Sequence, residues 1–123
     1  MEAVQSRTSG DVAAVVATAR DYFEGWFDGD EARMERALHP NLVKRRAGEE
    51  LGITTKERML ELTRRGEGKA DGADRTLEID VADVHGDIAS VTIRSAVYHE
   101  YVHLVRTSAG WKIANALWDL TVR

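Results

Sequence analysis

The sequence contains no cysteine, which excludes disulfides, thiolate metal sites and thiol nucleophiles. It also lacks long apolar runs. The longest near its start, Val12 to Ala17, is far too short to span a bilayer, and Glu2 directly follows Met1 where a secretory leader would be basic. These features fit a reducing compartment, and the expectation is a cytoplasmic protein that makes no membrane contact. No strong excess of positive charge is present: 17 basic residues against 21 acidic ones leave a net charge of −4, which argues against nucleic acid as a partner. The single compact basic cluster, Lys44-Arg45-Arg46, reads as a solvated strand or loop edge and not as a phosphate site. The glycines from Gly66 to Gly72 lack the strand-loop-helix setting of a phosphate-cradling loop.

What is present suits one globular domain. A chain of 123 residues, 43% hydrophobic and 31% charged, can bury a core without staples. Residues 1–10 carry no periodic pattern and read as a flexible N-terminus, with residues 11–123 forming the domain. Val12, Val15, Val16, Ala19, Phe23, Trp26 and Phe27 follow the 3.6-residue period of a helix, with Ser9 or Asp11 as its cap and Tyr22 at the edge of the stripe. Gly29 ends it, and Asp30 can cap a short second helix carrying Met34, Ala37 and Leu38. Pro40, the only proline, stops that helix, and residues 41–46 read as a short edge strand. Thr54 and Glu57 form a capping box for a third helix with Met59, Leu60 and Thr63 inward. It decays into a flexible polar loop at Gly66 to Gly72.

From Leu77 onward the period changes to two. Leu77, Ile79 and Val81 share one face of a strand, and His85-Gly86-Asp87 reads as a turn. Ala89, Val91, Ile93 and Ser95 make a second strand, Tyr101 to Arg106 a third, and Trp111 to Trp118 a fourth. With Ser108 and Ala109 as the loop residues, Leu104 would pair with Ile113 and Val102 with Asn115. That register puts Val102, Leu104 and Ile113 on one face and His103, Ala114, Ala116 and Trp118 on the other. A one-residue bulge would reverse it. Helices followed by an antiparallel meander specify an α+β domain, its helices packed on one face of the sheet.

One string invites a metal. His99-Glu100-Tyr101-Val102-His103 matches H-E-x-x-H, the zinc-protease motif, which requires a helix to bring both histidines to one ion. The surrounding Val97 to Val105 is rich in β-branched and aromatic residues and prefers a strand. There the two histidines stand roughly 13 Å apart, whereas ligands of one zinc lie within about 4 Å of each other. No metal is expected.

The ordered set Tyr22-Phe23, Gly25-Trp26, Gly29-Asp30, Ala37-Leu38-His39-Pro40, Lys44-Arg45, Gly86-Asp87 with Ala89 and Val91, His103-Leu104, Trp111-Lys112-Ile113, Asn115 and Leu117-Trp118 resembles the nuclear transport factor 2-like superfamily. Within it the chain is most similar to the group named "putative lumazine-binding", relatives of the SnoaL-like cyclases. The resemblance spans roughly residues 11–120. It implies a cone-shaped α+β barrel, with N-terminal helices packed in the concave face of a curved antiparallel sheet. It also implies a cavity at the open end of the cone and a homodimer through the sheet. The fold hosts enzymes, ligand binders and dimerisation modules alike, so the resemblance carries no particular activity.

The resemblance and the strand pattern together place Tyr22, Trp26, His39, Tyr101, His103, Asn115 and Trp118 nearest that cavity. Catalytic residues stay unassigned, with His39, His103 and Tyr22 as candidates. His39 is favoured as a helix-end structural residue over a base, and His103 as a sheet histidine over a pocket donor. Aromatic side chains with a polar handle suit a wall that grips a planar ligand, and Asn115 among apolar strand residues needs a partner if buried. Asp28 and Asp30 look like cap residues, Asp87 a turn residue and Asp119 a strand end, so no carboxylate pair is enforced. Ser90 and Ser95 lack a nucleophile-elbow pattern. The expectation is a pocket for a small apolar or aromatic molecule, with no cofactor. It leans away from an enzyme. The alternative is a cyclase, isomerase or dehydratase, with His39 or His103 as base and Tyr22 or Tyr101 as donor. A third possibility is a structural partner-binding module.

Overall fold

A computed structural model describes residues 9–70 and 74–122. Three helices, α1 (Ser9–Asp28), α2 (Glu31–Ala37) and α3 (Lys56–Arg64), accompany six strands. The strands are β1 (Leu38–Arg46), β2 (Gly52–Thr54), β3 (Leu77–His85), β4 (Ile88–Ser95), β5 (Tyr98–Thr107) and β6 (Gly110–Leu120). They form one curved, unclosed sheet in the order β2-β1-β6-β5-β4-β3. The expected four-strand meander is its larger part. The sheet is mixed and not purely antiparallel, because β1 runs parallel to β6. That pairing also corrects the edge-strand reading of residues 41–46: β1 lies inside the sheet, between β6 and β2.

Helix α1 forms because its apolar positions recur at helical spacing, and it buries Val15, Ala19, Tyr22, Phe23 and Phe27. Against them stand Val91, Ile93, Val102, Leu104 and Ile113 from the sheet, all at most 1% exposed. Each such side chain contributes about 1.5–3 kcal/mol relative to an exposed one. The stripe is rotated from the expected one: Val12 is exposed and Tyr22, expected at the edge, is fully inside. The Thr18 hydroxyl ties the helix to β6 by donating to the Trp111 carbonyl at 3.2 Å.

The chain leaves α1 through Gly29, whose φ of 66° is a left-handed conformation that glycine adopts freely. Asp30 then caps α2, its carboxylate accepting from the Arg33 N–H. Pro40 falls inside β1, at a stretch where the pairing to β6 slips between Leu38 and Val43, a setting that tolerates a missing N–H. Helix α3 is capped by Thr55, one residue later than expected, since Thr54 belongs to β2. Of the N-terminal segment expected to be flexible, residues 1–8 lie outside the described residues, and Ser9 and Gly10 belong to α1.

Two bulges bend the sheet. In β3 the extra residue is Ala82, between Val81 paired with Val91 and Asp83 paired with Ser90. In β6 it is Ala114, because adjacent Leu104 and His103 pair with Ile113 and Asn115. A bulge resets the alternation of faces beyond it. The expected register holds up to Leu104 and Ile113 and then fails. Ala116 and Trp118 therefore share the inner face with Val102 and Leu104, and Asn115 pairs with His103 on the outer face.

Candidate functional site

The seven residues expected around the cavity separate into three places. Tyr22, Trp26 and Trp118 line one inner cavity. Tyr101, His103 and Asn115 project from the outer face, where Tyr101 is 56% exposed. His39 sits at the start of β1, its Nδ1 accepting the N–H of Asn41 at 3.0 Å, so it braces its own strand. It does not line the inner cavity.

That inner cavity encloses about 150 Å³ among Tyr22, Phe23 and Trp26 of α1, Lys44 of β1, Thr54 of β2, Met59 and Leu62 of α3, Tyr98 and Glu100 of β5, and Trp118 of β6. Tyr22 and Trp26 are four apart on a helix and therefore neighbours on one face. Tyr98 and Glu100 are two apart on a strand and point the same way. Across the ladder Glu100 pairs with Trp118. Next along, Lys44 and Val102 flank Ala116 on the same inner face. The Ala114 bulge is what brings Trp118 to this face.

The floor is polar. The Lys44 ammonium donates to the Tyr22 hydroxyl oxygen at 2.5 Å, and the Tyr22 O–H donates to Glu100 Oε1 at 2.8 Å. Lys44 Nζ also lies 3.6 Å from Glu100 Oε2. Glu100 is 2% exposed and Lys44 9%, so this ion pair has left water almost completely. Such a pair persists when each charge meets its partner and the remaining polar atoms are hydrogen-bonded. Burial pushes the Tyr22 phenol well above its ordinary value, reinforced by the adjacent Glu100 carboxylate. Burial pulls the Lys44 ammonium down, against the attraction of Glu100.

The walls are aromatic. Tyr98 and Trp118 meet edge to face at 5.5 Å, and Phe23 packs on Tyr98 at 6.2 Å. Lys44 Nζ stands 5.0 Å from the Tyr22 ring centre and 5.5 Å from that of Trp118, within cation–π range. Trp26 Nε1 donates to the Tyr98 hydroxyl at 3.3 Å.

Lys44, Tyr98 and Glu100 were missed as site residues, though a signal existed. Glu100 alternates in phase with Val102 and Leu104, and Lys44 with Leu42, so both charged residues occupy inward positions of their strands. The basic cluster splits accordingly: Lys44 is buried, while Arg45 and Arg46 are exposed as expected. The glycine-rich loop is held through Ala70, whose N–H donates to the Phe27 carbonyl. Trp26 presses on Gly68 so closely that a Cβ there would overlap the indole. Asp71 and Gly72 of that loop lie outside the described residues.

A larger depression, about 430 Å³, lies on the outer face, where Asp83, Ser90, His103 and Asn115 form one row across four strands. Its residues His85, Ile88, His103 and Asn115 are exposed, and it has no buried charge. The smaller inner cavity is the better site of the two because it combines enclosure with the desolvated Lys44 and Glu100. The H-E-x-x-H string lies wholly in β5, with His99 and His103 on the outer face. Among the described residues no group of three or more histidines, cysteines or carboxylates could hold a metal. No described helix is long and apolar enough to cross a membrane.

Comparison with known proteins agrees with this architecture. The family described as "Putative lumazine-binding" matches residues 10–119. A nuclear transport factor 2-like protein of unknown function from Silicibacter pomeroyi aligns with a TM-score of 0.72 and 18% identity, covering 91% of this chain and 97% of that one. A second, from Shewanella baltica, aligns at 0.75 with 14% identity, covering 94% and 97%. A ketosteroid isomerase-like protein from Erwinia carotovora aligns at 0.63 with 14% identity, covering 92% and 98%. At such identities the likeness is one of fold. No match emerges among curated proteins.

Proposed function

The chain belongs to the family described as "Putative lumazine-binding", of nuclear transport factor 2-like fold, and we propose that it binds a small planar molecule in the inner cavity. The observation that carries this reading is the buried Lys44–Tyr22–Glu100 cluster facing an otherwise aromatic cavity. A core without a ligand to orient would be simpler to fill with apolar side chains. The size of the cavity narrows the guest. About 150 Å³ matches an apolar cavity known to hold benzene, so a single ring fits and a fused bicyclic ring with side chains does not.

The test is a thermal-shift series with benzyl alcohol, phenol and lumazine. The single-ring compounds should raise the melting temperature, and Trp118→Ala should remove the effect. No shift with either single-ring compound would sink the reading.

The alternative of a cyclase, isomerase or dehydratase now has to use Glu100 and Tyr22 as its acid–base pair, since His103 faces outward and His39 braces the start of β1 away from the inner cavity. The proposal also includes a homodimer through the outer face. There Ile53, Arg45, Leu117 and Tyr101 form one cross-strand row, with Ile53, Tyr101 and Leu117 exposed. A monomer in sedimentation at micromolar concentration would defeat that part. The cytoplasm is the proposed compartment, and cell fractionation checks it.

A further inference from the structure

The four lysines are unequal. Lys56 pairs with Glu35, Lys112 donates to the Arg36 carbonyl, and Lys69 is exposed. The Lys56 side chain is as little exposed as that of Lys44, but Lys44 alone of the four lines the inner cavity. Its nitrogen begins a hydrogen-bond chain with one direction, from Lys44 Nζ–H to Tyr22 Oη at 2.5 Å and from Tyr22 Oη–H to Glu100 Oε1 at 2.8 Å. Such a chain can pass a proton inward without bulk water: the ammonium gives a proton to Tyr22 as Tyr22 gives its own to Glu100. Transfer along this chain converts the ammonium and the carboxylate into a neutral amine and a neutral acid, and the reverse transfer restores them. A desolvated lysine amine beside an acid–base group is the arrangement that activates lysine toward carbonyl carbon.

We propose that Lys44 captures single-ring aldehydes as a protonated imine, with Tyr22 and Glu100 moving the protons. This rests on the inner cavity being the binding site. The Lys44 nitrogen adds to the aldehyde carbon, forming the C–N bond as the carbonyl π pair moves to oxygen. Glu100, through Tyr22, protonates that oxygen and recovers a proton from nitrogen, giving a carbinolamine. Glu100 then supplies a second proton to the hydroxyl, the C–O bond breaks, and the nitrogen lone pair closes the C=N bond. Water leaves, and the cationic imine again faces the Glu100 carboxylate. No oxidant or reductant is required. The lowered basicity of the Lys44 amine is consistent with this role.

The experiment uses the full chain with benzaldehyde and cyanoborohydride at neutral pH, with peptide mapping of the benzylated lysines. Lys44 should label faster than Lys56, Lys69 and Lys112 by on the order of a hundredfold, the lower end of what positioned acid–base groups contribute. Tyr22→Phe and Glu100→Gln should each remove most of that advantage, and Lys44→Met should leave only slow surface labelling. Benzyl alcohol, which has the ring but no carbonyl, separates the two readings. Stabilisation by the alcohol with Lys44 labelling no faster than Lys112 overturns the imine and leaves the pocket standing. Absence of both effects overturns both.

Discussion

Inward from β5, Tyr98, Glu100, Val102 and Leu104 meet helices and the cavity; outward from the same strand, His99, Tyr101 and His103 meet solvent. The outer side holds more of the residue types associated with catalysis, including both histidines of the H-E-x-x-H string. The inner side holds one carboxylate, yet that group is desolvated and joined to two further polar side chains. Chemistry depends on environment more than on residue type: a buried ion pair is strongly coupled to whatever enters beside it, because little water screens it.

The largest contrast should come from removing one member of each side. Glu100→Ala strands the Lys44 charge, and urea unfolding at pH 7 should register a loss of about 3–5 kcal/mol. His103→Ala and Asn115→Ala should stay within about 0.5 kcal/mol. A loss at His103 comparable with that at Glu100 would mean the outer face is the organised one.

Tyr22→Phe comes next, with an expected loss of about 1.5–3 kcal/mol, because hydrogen bonds to two charged groups disappear. It also carries a pH signature. The folded Tyr22 phenol holds its proton above the ordinary value of 10.0, chiefly through burial and then Glu100. Its contribution is fully present below that ordinary value and is lost as pH rises toward the folded one. Lys44, lowered by burial, works in the opposite sense as pH approaches 10.5. Urea midpoints measured at rising alkaline pH should therefore fall more steeply for the wild type than for Tyr22→Phe. Parallel curves would contradict the buried phenol.

The smallest contrast lies between two glycines. Gly68→Ala forces the Trp26 indole to move, for about 1–3 kcal/mol and a change in tryptophan fluorescence. Gly52 has open space around its Cβ position, so Gly52→Ala should be silent to within about 0.5 kcal/mol. Equal effects would show that Trp26 does not rest on the glycine loop.

Much of the fold was legible because it follows from local periodicity. The 3.6-residue stripe of α1, the alternation of β3 to β6 and the turns at Gly86 and Gly110 are properties of contiguous residues. Half of the site was less legible, for two reasons. Lys44 and Glu100 were readable as inward by alternation, but a charged residue among charged neighbours looks solvated, as Lys44 did beside Arg45 and Arg46. Trp118 and Asn115 could not be assigned to a face, because the register of β6 depends on a single extra residue.

By itself the sequence determined an α+β domain, helix α1 as its buried spine, and a strand in place of a zinc helix at His99–His103, since each depends on propensity and period within one segment. Only the tertiary structure decided which groups meet. The Ala114 bulge turned Trp118 inward and Asn115 outward, and the parallel pairing of β1 with β6 carried Lys44 from 56 residues away to the side of Glu100. Those are contacts between distant segments, set by sheet register and curvature, and no local pattern encodes them.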